Sequence, residues 1–314
     1  MSVLEGLRLT PTYHERVWGG QRLRPANPPI GEAWIVHEEN QITDGPQAGR
    51  TLTELTAEYG EALLGRVPLS RTGHRFPLLI KLLDAADWLS VQVHPNDEQA
   101  TELAGPGQFG KTEAWHILEA APGAQLIVGL KPGTTREALA EAIRAGTVTG
   151  LSRYLTVDAG DTVFIGAGTL HALGPGLLLY EVQQTSDITY RVFDWNRPQS
   201  AGRALHIEQS LVVTNPAIAG EFQAPPPAAQ TVGELVACPY FTLEQVVGGR
   251  EPIDLDTGSQ SFHALTVIEG TATIAGAGWQ HPLGRFESVV VPATVGAYQV
   301  RPDGACRLLK ASVV

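Results

Sequence analysis

The chain is poor in cysteine, poor in positive charge and without long apolar runs. Cys238 and Cys306 are its two cysteines, far apart among 314 residues. Two such residues make neither a disulfide framework nor a zinc knuckle, and they are expected to be buried thiols in a reducing compartment. Acidic residues outnumber basic ones 33 to 22, for a net charge of −11. A surface of that sign argues against nucleic acid or an anionic membrane as a general partner, because phosphate backbones demand a basic face. A small phosphorylated ligand remains compatible, since it needs only a local cluster of cations. No window approaches the roughly 18 uninterrupted apolar residues of a membrane span. The first residues, Met1-Ser-Val-Leu-Glu-Gly-Leu-Arg8, carry no signal-like apolar core, so a cytoplasmic protein is expected. Heptads are absent, and so is a glycine-rich loop between a strand and a helix, which excludes a coiled coil and a dinucleotide-binding turn.

What the chain has in quantity is turn-forming residues, with 34 glycines and 22 prolines among 43% hydrophobic residues. That composition fits many short strands joined by turns, in a chain long enough for two domains. The predicted strands include 32–37, 77–83, 112–118, 125–129, 161–165, 177–182 and 187–193. Two capping boxes, Thr51-x-x-Glu54 and Thr134-x-x-Glu137, predict helices ending at Gly65 and Gly146. A third short helix is expected from Asn96. The Pro-rich run 224–230 reads as a linker between a catalytic domain at 1–223 and a smaller strand-rich domain at 231–314. The fold expected is mainly β: two jelly-roll barrels with a few inserted short helices.

The stretch Trp88-Leu-Ser-Val-Gln-Val-His-Pro-Asn96 has an unusual alternation. As a strand, it sends Leu89, Val91 and Val93 to one face and Ser90, Gln92 and His94 to the other. A row of hydroxyl, amide and imidazole suits a wall of a polar cavity. Glu113 at the head of one strand and His171 in Gly160-Asp-Thr-Val-Phe-Ile-Gly-Ala-Gly-Thr-Leu-His171 are its candidate partners. Two imidazoles and one carboxylate are good ligands for a zinc-like divalent ion, and Gln92 adds a neutral oxygen. His116, three residues after Glu113, falls on the opposite strand face. Trp18 reads mainly as core.

The approach to His171 resembles the second histidine motif of the cupin superfamily, with Gly166 where a proline is usual. Gln92-Val-His94-Pro, Gly110-Lys-Thr-Glu113, Gly168-Thr-Leu-His171-Ala and Glu181-x9-Arg191, in that order, resemble the type I mannose-6-phosphate isomerase family in its short bacterial form. The run Gln183-Gln-Thr-Ser-Asp-Ile-Thr-Tyr-Arg-Val-Phe-Asp-Trp195 is similar to that family's signature, and the likeness extends from Trp18 to about Ile207. Lys111-Thr-Glu113 stands where longer members have Lys-Pro-Glu, and their large helical insertion has no room here. The resemblance implies a zinc site of Gln92, His94, Glu113 and His171, with Arg191 essential for catalysis. It also implies that Lys81, Ser90, Lys111 and Glu181 line the substrate cavity, where the positive charge of Lys81 and the hydroxyl of Ser90 suit the phosphate. The activity implied is interconversion of mannose 6-phosphate and fructose 6-phosphate through an enediol, by a monomer or homodimer. Lys111 and Glu181 are the candidate proton carriers, Lys111 with a pKa lowered by cationic neighbours and Glu181 with one raised by an apolar pocket. An iron-dependent cupin oxygenase and a non-catalytic sugar-phosphate-binding cupin are the alternatives. The 231–314 segment looks like a degenerate second cupin, with Tyr298 near the place of a metal histidine.

Overall fold

The computed structural model describes residues 4–198, 203–227 and 229–313, so Ala228 of the expected linker lies outside the described residues. The chain is mainly β and of the jelly-roll type, with short helices between strands. It divides into two compact units. One is Tyr13–Glu32 with Leu82–Gln223; the other is Met1–Thr12, Ala33–Lys81 and Ala224–Val314. Division by chain order, at 224–230, therefore differs from the division in space. The reason lies in how residues 4–12 and 33–76 are used. Strand Leu7–Arg8 pairs with Ser288–Val291 at the edge of the C-terminal sheet. The Phe262 amide donates to the Leu64 carbonyl, and the Phe76 and Phe262 rings lie 4.7 Å apart. Gly65, at φ +88°, brings its Cα against the Gln260 carbonyl, where a Cβ would meet backbone oxygen at 2.2 Å. An N-terminal segment thus completes a C-terminal barrel.

In the unit holding 82–223, two antiparallel sheets enclose the core. One runs in the order Tyr190–Phe193, Val91–Val93, His171–Leu173, Gln125–Leu130, Ser152–Thr156. The other includes Glu221–Gln223, Thr162–Ile165, Glu113–Ala120 and Leu177–Gln184, in that order. Strand alternation separates two apolar clusters. Trp115, Ile117, Leu126, Val128, Leu173, Leu177 and Leu179 point inward between the sheets, joined by Trp18 and Leu89. On the outer face of the five-stranded sheet, Val91, Val93, Ile127 and Ala172 pack on Leu139 and Ile143 of helix Arg136–Arg144 and Val213 of helix Ile207–Val213.

Several local expectations shift. The regular strand in the Trp88–Asn96 stretch is only Val91–Val93, and Leu89 belongs to the inner cluster rather than with Val91 and Val93. The Thr51/Glu54 capping box is formed, but the helix is interrupted at Gly60, whose φ of +47° closes Leu52–Tyr59 before Glu61–Leu64 begins. At the other box the cap is Thr135, which accepts from the Ala138 amide, whereas the Thr134 hydroxyl donates to the Lys131 carbonyl. The helix from Asn96 starts as expected, with Asn96 and Gln99 capping each other. Cys306 is buried and Cys238 half-buried, both free. Among the described residues no helix is long and apolar enough to cross a membrane.

Candidate metal and substrate site

The inner face that carries the core also carries the polar residues at one end. Leu173 and His171 lie two apart on one strand, Ile117, Trp115 and Glu113 on a second, and Leu177, Leu179 and Glu181 on a third. Each strand therefore passes from aliphatic to ionisable on the same face. The register adds the rest. Gln92 sits opposite His171 on one side and opposite Arg191 on the other, so three adjacent strands present imidazole, amide and guanidinium in a row. In the facing sheet Glu113 pairs with Gln183 and Trp115 with Glu181.

Ligand atoms of His94, Glu113 and His171 lie within 4.8 Å of one another, with all three side chains buried. His94 Nε2 is 3.5 Å from Glu113 Oε2, and His171 Nε2 is 3.3 Å from Glu113 Oε1. Both rings donate from Nδ1 to backbone carbonyls, His94 to Ile188 at 2.9 Å and His171 to Thr169 at 2.8 Å. Those bonds fix the tautomer, leaving the Nε2 lone pairs aimed at the carboxylate. Burial pushes the His171 pKa down to about 4, against the Thr169 bond that raises it; Lys111 lowers it further and Glu181 opposes. His171 is a neutral imidazole at neutral pH. Apart from the Lys111 ammonium 2.8 Å from Oε2, no donor among the described residues serves the buried Glu113 oxygens. A buried carboxylate flanked by two preset imidazole lone pairs fits a divalent cation of the zinc class. Gln92 Nε2 lies 3.3 Å from His171 Nε2, and a half-turn of the amide brings its oxygen to the same place.

Lys111 is buried, 2.8 Å from Glu113 Oε2 and 3.0 Å from His94 Nε2. Its pKa is raised, not lowered. Burial alone would pull it down, but the charges of Glu113 and Glu181 outweigh that cost. The expectation of cationic neighbours is thus corrected: its nearest charges are carboxylates. Glu181 Oε2 accepts from the indole Nε1 of Trp115 at 2.9 Å, a positioning contact the sequence reading missed, because Trp115 reads there as one more strand aromatic. Arg191 donates from Nε to Ser90 Oγ at 3.3 Å and from Nη1 to the Ala204 carbonyl at 3.1 Å. Burial lowers its pKa and Arg203 adds to this, while Asp194 opposes. A guanidinium stays charged through such shifts.

The structure brings together Ser90, Gln92, His94, Lys111, Glu113, His171, Glu181 and Arg191. Lys81 is buried, with its ammonium 5.2 Å from the centre of the Trp34 ring. His116 turns away from Glu113 and bonds Thr162 Oγ1.

The chain is similar to several known proteins. The model of the type I phosphomannose isomerase catalytic domain matches residues 7–111. A probable mannose-6-phosphate isomerase of Bacillus subtilis is 35% identical, over 96% of this chain and 98% of its own. A mannose-6-phosphate isomerase of Streptococcus mutans is also 35% identical, over 95% and 96%. The crystal structure of a mannose 6-phosphate isomerase from Bacillus subtilis superposes with a TM-score of 0.87 at 30% identity, covering 98% of this chain and 99% of that one. Matches of that identity, running nearly end to end in both partners, establish that the chain belongs to the type I mannose-6-phosphate isomerase family.

Proposed function

We infer that the protein is a metal-dependent aldose–ketose isomerase that interconverts mannose 6-phosphate and fructose 6-phosphate through an enediol. The observation that carries the reading is the convergence of the His94, Glu113 and His171 donors with Lys111, Glu181 and Arg191 at one end of the barrel. Zinc suits a set of two neutral imidazoles, one carboxylate and an amide oxygen, held by His94, His171, Glu113 and Gln92. Bound there, it supplies Lewis-acid polarisation of the sugar oxygens at C1 and C2.

The remaining chemistry falls to the chain itself. Isomerisation takes a proton from C2 and returns one at C1, while O1 gains a proton and O2 loses one. Glu181, a buried carboxylate oriented by Trp115, is the proposed base that carries the carbon-bound proton. Lys111, kept protonated by its carboxylate neighbours, is the proposed acid that gives a proton to O1 and recovers one from O2. Arg191 is the permanent cation that stabilises negative charge on the enediolate or grips the phosphate bidentately, with the Ser90 hydroxyl beside it. Lys81, a buried cation in the middle of strand Leu78–Ala85, is the proposed partner of Ser90 in binding the phosphate.

A coupled assay of mannose 6-phosphate conversion tests this. The wild-type protein is expected to turn over, to lose activity on complete chelation of metal, and to regain it with zinc. Arg191→Ala is expected to abolish turnover. Near wild-type activity in that variant, or full activity without metal, overturns the mechanism.

A further inference from the structure

Lys111 stands outside regular structure. Residues 108–112 form no helix or strand, and the ladder begins only at Glu113, which pairs with Gln183 and with Ile165. Yet the Lys111 ammonium is held at 2.8 and 3.0 Å from two specific atoms. A lysine side chain with four rotatable bonds reaches such a position reproducibly only if its backbone is fixed.

The backbone is fixed by side chains that come from elsewhere. Asp97 Oδ1 accepts from the Gly110 amide at 2.7 Å and from Gln184 Nε2 at 3.0 Å. Gln184 Oε1 in turn accepts from the Thr112 amide at 2.9 Å, and the Gln184 amide donates to the Thr112 carbonyl at 3.2 Å. The Lys111 amide donates to the Pro95 carbonyl at 2.9 Å. Ser186 Oγ donates to the Phe109 carbonyl at 2.8 Å. Gly110 lies so close to the Asn96–Asp97 peptide that a Cβ would meet the Asn96 carbonyl carbon at 2.5 Å. Both amides that flank the Lys111 amide are therefore served by one connected pair, Asp97 and Gln184.

We propose that Asp97 and Gln184 form a two-residue clamp that positions Lys111 for proton transfer, without touching substrate or metal themselves. The inference rests on the isomerase reading above. Its distinguishing consequence comes from the boundary at Glu113. Loosening the clamp frees Gly110–Thr112, while Glu113 remains held by two neighbouring strands. Loss of the clamp should thus disable Lys111 and spare the metal ligands. The acceptor on residue 97 needs two lone pairs and no charge, so an asparagine oxygen can replace the carboxylate.

The test compares Asp97→Ala, Asp97→Asn and Gln184→Met with the wild-type holoenzyme. Metal content per chain, thermal midpoint, kcat and KM for mannose 6-phosphate are measured. Asp97→Ala and Gln184→Met are expected to lower kcat by about 10²-fold, with KM changed by no more than about two-fold and metal content unchanged. Asp97→Asn is expected to retain most of the wild-type kcat. Wild-type kcat in Asp97→Ala or Gln184→Met overturns the proposal. So does a loss of kcat that merely follows loss of metal, or a metal-loaded Asp97→Asn as slow as Asp97→Ala. Should Asp97→Ala fail to fold, Gln184→Met and Asp97→Asn decide the matter by the same criteria. A wild-type protein that binds metal but does not convert the sugar phosphate refutes the isomerase reading, and the clamp's catalytic role with it.

Discussion

Lys111 and a bound cation compete for the same atoms, which makes Lys111→Met the most discriminating perturbation of the site. The ammonium lies 2.8 Å from Glu113 and takes the His94 Nε2 lone pair at 3.0 Å. Without metal it is the closest positive charge to a carboxylate that is otherwise buried and unsatisfied. Removing one partner of a buried ion pair typically costs about 3–5 kcal/mol. The metal-free Lys111→Met variant should therefore lose about 3 kcal/mol of stability, a large part of a typical total of roughly 5–15 kcal/mol. Bound zinc restores positive charge beside Glu113, and in the variant it no longer displaces an ammonium from His94. The loss in the zinc-loaded protein should be much smaller. By thermodynamic linkage that difference appears as tighter zinc binding, about 10²-fold for roughly 3 kcal/mol, alongside loss of turnover. Competition against a chromophoric chelator measures the affinity, and denaturant unfolding with and without zinc measures the stabilities. If Lys111→Met binds zinc more weakly than the wild type, or if its metal-free form is as stable, the argument is wrong.

Two further outcomes follow from contacts described above. Trp115→Phe keeps the ring in the core but removes the Nε1–H that holds Glu181 at 2.9 Å. Hydrogen bonds to charged groups contribute about 1.5–3 kcal/mol, so kcat is expected to fall at least about ten-fold, with metal content intact; an unchanged kcat would remove Glu181 from the base role or Trp115 from its support. In the C-terminal barrel, burial pushes the His263 pKa down to about 3 and Lys310 lowers it further, with Nδ1 2.7 Å from the Tyr298 hydroxyl. A depressed histidine pKa means that the folded state favours the neutral ring. Its stabilising contribution is thus full above the ordinary pKa of about 6.5 and is lost as pH falls from there toward 3, by up to about 1.4 kcal/mol per pH unit. Denaturant unfolding between pH 7 and pH 4 should show a shallower loss in His263→Gln than in the wild type, and parallel curves would refute the assignment.

How much of this could be read in advance depended on the distance over which the information lies. Period-two alternation is local, so the polar face of Ser90 and Gln92 and the opposed face of His116 were visible in the chain. The Thr51/Glu54 capping box spans three residues and was equally visible. Less visible were features decided by a single residue's neighbours. Gly60 breaks a helix that the apolar pattern continues, and Thr135 outcompetes Thr134 because the Thr134 hydroxyl is drawn to the Lys131 carbonyl. Leu89 leaves the face of Val91 and Val93 because it precedes the regular strand and turns into the inner cluster.

By itself the sequence determined the class of fold, the sparse positive charge, and the residue types and spacings from which a metal site and a sugar-phosphate isomerase are recognised. Tertiary structure alone decided which strands lie side by side, and hence that Gln92 stands between His171 and Arg191. It also decided that residues 33–81 fall into one compact unit with Ala224–Val314, and that Asp97 and Gln184 meet across 87 residues to hold the backbone around Lys111. The protonation of Lys111 belongs to the same group. A side chain's charge state is set by the sum of burial and of every nearby charge, and those neighbours are assembled from strands far apart in the chain.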